Sequence, residues 1–158
     1  MIRLRHLLIA ASIVAAGAVT VAGPVSAAPS RVGTESFSLT GDINVPGGTV
    51  VASGVINATG TDIVVSDTED LFDFGAAGTI TVFHSPLHST DHFSEKKCTF
   101  SFKEKGTYVF GNGTGEWAGY SGSGRYTVIG SATNACGNEP VGTLTIDASG
   151  PITQISNS

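Results

Sequence analysis

His84, His88 and His92 recur four residues apart. On a helix that spacing would bring three imidazoles to one face, a geometry suited to zinc. Pro86 lies inside the run, so the pattern instead predicts a strand ending at His84, half-buried beside Ile80 and Val82, followed by a solvated loop carrying His88, Asp91 and His92. A second group, Asp67, Glu69, Asp70 and Asp73, offers the oxygen ligands calcium prefers, but without the Asp-x-Asp-x-Asp-Gly spacing of a calcium loop. It reads as a solvated acidic turn. Ser121 lacks both the Gly-x-Ser-x-Gly elbow and the strand-to-helix context that would expose a nucleophile. Gly113-Thr114-Gly115-Glu116-Trp117-Ala118 approaches a dinucleotide fingerprint, yet no helical period follows to present a helix N-terminus to a pyrophosphate. None of these patterns names a catalytic or ligand-binding residue, and we expect no metal and no cofactor.

The elements that would position such groups are strands. Phe37, Leu39, Ile43 and Val45 alternate with polar neighbours, as do Ile80 and Val82, then Cys98, Phe100 and Phe102, then Leu144 and Ile146. A period of two with one apolar face describes an antiparallel sheet wet on one side. Turn residues punctuate the chain at Pro46-Gly47-Gly48, Thr59-Gly60, Gly75 to Gly78, Ser85-Pro86, Gly106, Asn112-Gly113 and Gly122 to Gly124. About eight strands follow from this punctuation, at 34–45, 48–58, 61–66, 69–74, 79–85, 97–105, 107–111 with 124–131, and 141–149. Many short strands without helices make either a β-barrel or a β-sandwich.

The segment Gly111 to Val128 concentrates glycine at Gly111, Gly113, Gly115, Gly119, Gly122 and Gly124, with Trp117, Tyr120 and Tyr126 between. So many glycines call for positive φ or close backbone approach. Gly113, Thr114, Gly115, Trp117 and Gly122 give the pattern Gly-Thr-Gly-x-aromatic-x-x-x-x-Gly. This resembles the Gly-rich hairpin of the allene oxide cyclase and dirigent barrels. Cys98-Thr99-Phe100 and Ser149-Gly150-Pro151 extend the likeness to secreted bacterial proteins similar to allene oxide cyclase. The resemblance implies a single eight-stranded antiparallel barrel. It implies no activity, because the matching residues shape a hairpin and are not the polar lumen residues with which cyclases and dirigents handle substrates.

Residues 1–27 read as a signal peptide. Arg3 and Arg5 precede the apolar run Leu7–Ala22, which is shorter than the ~20 residues needed to span a bilayer. Gly23-Pro24 breaks it and Val25-Ser26-Ala27 suits a signal peptidase. We therefore expect a secreted, extracellular protein of one domain, 28–158, with no membrane role after cleavage and a frayed tail from Gln154. Losing the two leader arginines moves the net charge from −5 to −7, which disfavours nucleic acid. In an oxidising compartment the only two cysteines, Cys98 and Cys136, should pair. Closing a loop of about 40 residues stabilises by roughly 4 kcal/mol in the chain-entropy account.

Three functions fit such a barrel: a module that binds one small apolar ligand in its lumen, a cyclase- or isomerase-like enzyme, and a structural or surface-interaction domain with a filled core. An apolar cavity favours the first, convergent polar groups the second, a filled lumen the third. Phe37, Leu39, Phe100, Phe102, Leu144 and Ile146 should face inward, with Trp117 near one end.

Overall fold

The computed structural model describes residues 31–137 and 139–155. Residues 1–27, expected to be a signal peptide, lie outside them. Eight strands run in chain order: β1 (Val32–Asp42), β2 (Gly48–Gly54), β3 (Ala58–Ser66), β4 (Glu69–Asp73), β5 (Thr79–Ser94), β6 (Thr99–Gly113), β7 (Tyr120–Thr133) and β8 (Val141–Gln154). Short 3-10 turns at Gly75–Ala77 and Gly115–Trp117 lead into β5 and β7. Every neighbour in sequence is an antiparallel neighbour in space, and β1 pairs with β8 from Val32↔Thr153 to Asp42↔Thr143. The sheet therefore closes into a barrel and leaves no sandwich. Closure protects strand edges that a Thr- and Val-rich chain would otherwise expose.

Several boundaries differ from the sequence reading, each for a local reason. β5 does not stop at Ser85-Pro86; a register shift between Pro86 and His88 absorbs the proline, which cannot donate a ladder hydrogen bond. His88 and His92 are thus exposed strand residues and not loop residues. The expected turn at Thr59-Gly60 lies inside β3, and the chain reverses at residues 55–57. Gln154 is not frayed, since its N–H donates to the Arg31 carbonyl (2.8 Å).

Gly106 does not break a strand either, and Gly122 and Gly124 lie within β7. These glycines make room for rings. A Cβ on Gly124 would lie 2.7 Å from the Tyr108 phenol, and one on Gly122 2.8 Å from the Phe110 ring. At Gly106 it would meet the Tyr126 ring, and at Gly130 the Phe102 ring. In the Gly-rich segment only Gly115 (φ +60) and Gly119 (φ +75) need positive φ, where the chain wraps the 3-10 turn.

That turn carries Trp117 into one end of the lumen. Trp117 is fully buried, stacked on Phe74 (centroids 5.0 Å) and leaning on Phe37 (5.8 Å). Ile80, Tyr120, Ile152 and Ile56 complete this plug. Phe37 and Leu39 are buried as expected, whereas Phe100, Phe102, Leu144 and Ile146 are only half-buried. The last β4–β5 pair is Glu69↔Phe83, so β5 continues beyond its shorter neighbour and the opposite end of the barrel is less covered. Cys98 and Cys136 stand at disulfide distance there, Cα atoms 5.0 Å apart, tying the β5–β6 turn to the β7–β8 loop.

Candidate functional site

Above the Trp117 plug the lumen is hollow. A cavity of about 80 Å³, partly open to solvent, is walled by Phe37, Leu39, Phe72, Val82, Val128 and Ile146, with Tyr108 and Ala148 also in its lining. A space of that size holds several water-sized groups. Large inward side chains therefore do not fill the barrel throughout.

One side of the cavity is polar. Asp70 on β4, His84 on β5, Glu104 on β6 and Tyr126 on β7 all line it. Strand alternation explains the placing of three of them: Asp70 shares a face with Phe72, His84 with Ile80 and Val82, and Glu104 with Phe100 and Phe102. His84 Nε2 lies 3.3 Å from Asp70 Oδ2. The Tyr126 hydroxyl donates to Glu104 Oε1 at 2.8 Å, and its ring meets His84 edge-on at 5.8 Å. Two pairs, one acid with a base and one acid with a phenol, thus converge on one apolar chamber.

Asp62 on β3 is a further inward acid, close to Asp70 and His84 but outside the lining of the cavity. It pairs across the sheet with Phe72, so its side chain shares the inward face, and it is only 7% exposed. Its Oδ1 has no hydrogen-bond partner. Burial pushes the Asp62 carboxyl up to about 7; the neighbouring Asp70 charge adds to the rise and His84 opposes it. Burial also raises Asp70 to about 6, with Glu69 contributing. Burial, then the bond to Glu104, holds the Tyr126 phenol above its ordinary range. A carboxyl in low dielectric with too little positive charge beside it favours its neutral form.

Glu35, at the plugged end, is a further buried acid. It is fully buried, and its Oε2 accepts the Ile56 N–H at 3.0 Å, holding the β2–β3 turn. Burial raises its carboxyl, while backbone N–H groups of Ile56, Val55 and Ser53 oppose the rise. Its Oε1, like Asp62 Oδ1, is buried without a hydrogen-bond partner. Tyr108, next to it in charge terms, is raised to about 12 by burial first and Glu35 second.

The sequence candidates are dispersed. Of the three histidines only His84 reaches the lumen; His88 and His92 face solvent. The acidic group is split as well: Asp70 turns inward, Asp67 is an exposed turn residue, Glu69 points away from the cavity, and Asp73 Oδ1 accepts the Gly75 N–H (2.8 Å). Among the described residues no three His, Cys, Asp or Glu side chains come together as a metal set. Gly113, Thr114, Gly115 and Trp117 shape the plug, with Thr114 Oγ1 accepting the Thr79 N–H (2.9 Å).

Sequence reading missed Asp62, Glu104 and Tyr126. Glu104 carried a usable signal, since it continues the parity of Phe100 and Phe102. Asp62 did not: Ile63 and Val65 look like the inward pair of that strand, yet they are 42% and 55% exposed. Compared with protein-family models, curated proteins and solved structures, the chain matches none of them.

Proposed function

We propose that this protein is a secreted β-barrel that takes one small, largely apolar molecule into the hollow half of its lumen. The observation that carries the reading is the part-open cavity of about 80 Å³ walled by Phe37, Leu39, Phe72, Val82, Val128 and Ile146. Concave, mostly apolar sites with a few placed polar groups are the usual form of small-molecule sites. Export is supported by the leader-like Arg3, Arg5 and Leu7–Ala22 segment and by cysteines at disulfide distance; among the described residues no helix is long and apolar enough to cross a membrane. The closed eight-stranded barrel and the Gly-rich plug support a kinship with allene oxide cyclase-like and dirigent-like barrels.

A panel of terpenoids, fatty acids and alkylamines tests the reading by thermal shift and intrinsic fluorescence. Phe37 lines the cavity and touches Trp117, so ligand entry should change the Trp117 emission. Ala148→Phe, which places a ring in the cavity lining, should abolish the response. No shift from any compound, or a response untouched by Ala148→Phe, would overturn the assignment.

The convergence of Asp70–His84 with Glu104–Tyr126 favours a second reading, a cyclase- or isomerase-like enzyme, because paired acids and bases beside an apolar chamber can move protons. Recovery of bound ligand chemically unchanged supports the binder; a rearranged product supports the enzyme.

A further inference from the structure

The polar wall is unbalanced. Every Lys and Arg among the described residues, from Arg31 through Lys96, Lys97, Lys103 and Lys105 to Arg125, is exposed. The lumen wall near the cavity nevertheless holds three carboxyls, Asp62, Asp70 and Glu104, with His84 as its only basic group. The Tyr126 hydroxyl is already engaged with Glu104, and His84 Nε2 lies 3.3 Å from Asp70 Oδ2. Acceptors remain: carboxylates accept at two oxygens each, and Asp62 Oδ1 is buried without a partner. A matching ligand must bring donors and positive charge to this wall and hydrocarbon to the other.

We propose that the cavity is a site for a hydrophobic amine, whose ammonium docks on Asp70 flanked by Asp62 and Glu104 while its hydrocarbon packs on Leu39, Val128 and Ile146. An ammonium offers three donors and the missing charge; an alcohol offers one donor and no charge. A fatty acid would bring a further carboxylate to a wall that already carries three, which raises the cost of ionising all of them. A metal ion would leave the apolar walls unused.

The inference rests on the ligand-binding reading above and deepens it. The groups facing Asp70 from each side are Asp62 on β3, His84 on β5, Glu104 on β6 and Tyr126 on β7; β1 and β8 present Phe37, Leu39 and Ile146. Since Asp62 and Asp70 titrate near 7 and 6, amine binding should weaken as pH falls from 8 to 5, while the amine itself stays protonated throughout.

Calorimetry of the intact, disulfide-bonded protein with octylamine, octanol and octanoate at pH 8 decides the matter, the three probes sharing one chain length. Octylamine should bind about tenfold tighter than octanol, with octanoate weakest. Asp70→Asn should cost octylamine about tenfold and leave octanol unchanged, and Asp62→Asn should act in the same direction. Octanol or octanoate binding as tightly as octylamine, or an amine preference that survives both substitutions, would overturn the amine proposal and leave ligand binding standing. Binding by none of the three overturns both.

Discussion

The two halves of the lumen are built on the same eight strands and solve opposite problems. The plugged half puts Trp117, Phe74, Ile80, Tyr120 and Ile152 in mutual contact, and its one acid, Glu35, is anchored by a backbone N–H. The hollow half leaves a cavity lined in part by Asp70, His84 and Glu104, with the buried Asp62 close by. Aromatic packing stabilises the first half. The second is tied by the Cys98–Cys136 link, which closes the end that packing leaves open. Both halves carry buried polar atoms without a partner, Glu35 Oε1, Trp117 Nε1 and Tyr120 Oη in the plug and Asp62 Oδ1 in the hollow half, and such burial is costly in either; what differs is that only the hollow half leaves open space beside its acids.

Substitution at the plug should show the largest effect. Trp117→Ala removes the most deeply packed ring and should cost about 3–5 kcal/mol in denaturant unfolding, against roughly 1–2 kcal/mol for Ile146→Ala beside the existing cavity. Equal costs would erase the distinction between the halves. Replacing Cys98 and Cys136 together by serine should lose up to about 4 kcal/mol. Hydrogen exchange should then rise first in the β5–β6 turn and the β7–β8 loop, with the Trp117 end protected; uniform loosening would argue that the link is not local to the hollow half.

A third expectation concerns pH. Asp62 and Asp70 are raised in the folded state, to about 7 and about 6, so folding is favoured by their protonated forms. That contribution is full below about pH 4, near the unfolded value, and is lost as pH rises through 6 to 7. Asp62→Asn should therefore stabilise the protein at pH 8 by on the order of 2 kcal/mol and flatten the fall in Tm between pH 5 and 8. An unchanged pH profile would show that Asp62 is not the strained acid of the hollow half. The smallest effect is expected from Tyr126→Phe, which removes one hydrogen bond to Glu104 and should cost about 1 kcal/mol. A cost as large as that of Trp117→Ala would make the polar wall a structural support.

Much of the architecture is legible in the sequence. Alternation around Phe37–Leu39, Ile80–Val82 and Leu144–Ile146 defined strands with one inward face, and two cysteines had a single partner each. Glycine was the weak guide. Gly60, Gly106, Gly122 and Gly124 read as turns because glycine commonly breaks strands, yet these four lie within strands where a Cβ would strike a backbone carbonyl or an aromatic ring. Pro86 misled for the same reason, since a bulge can absorb a proline that a regular ladder cannot.

The candidate site was less legible still. A period of two is a local property, so the sequence by itself determined an all-β chain, which residues share a face within most strands, and the cysteine pairing. Whether those strands closed into a barrel, and which inward residues met across it, depended on register between strands distant in sequence. Asp62 turned inward because pairing with β4 set it opposite Phe72, over the competing claim of Ile63 and Val65. Asp70, His84, Glu104 and Tyr126 come from four successive strands, and only the closed tertiary structure brought them to one wall, because side-chain period carries no information about the stagger between strands.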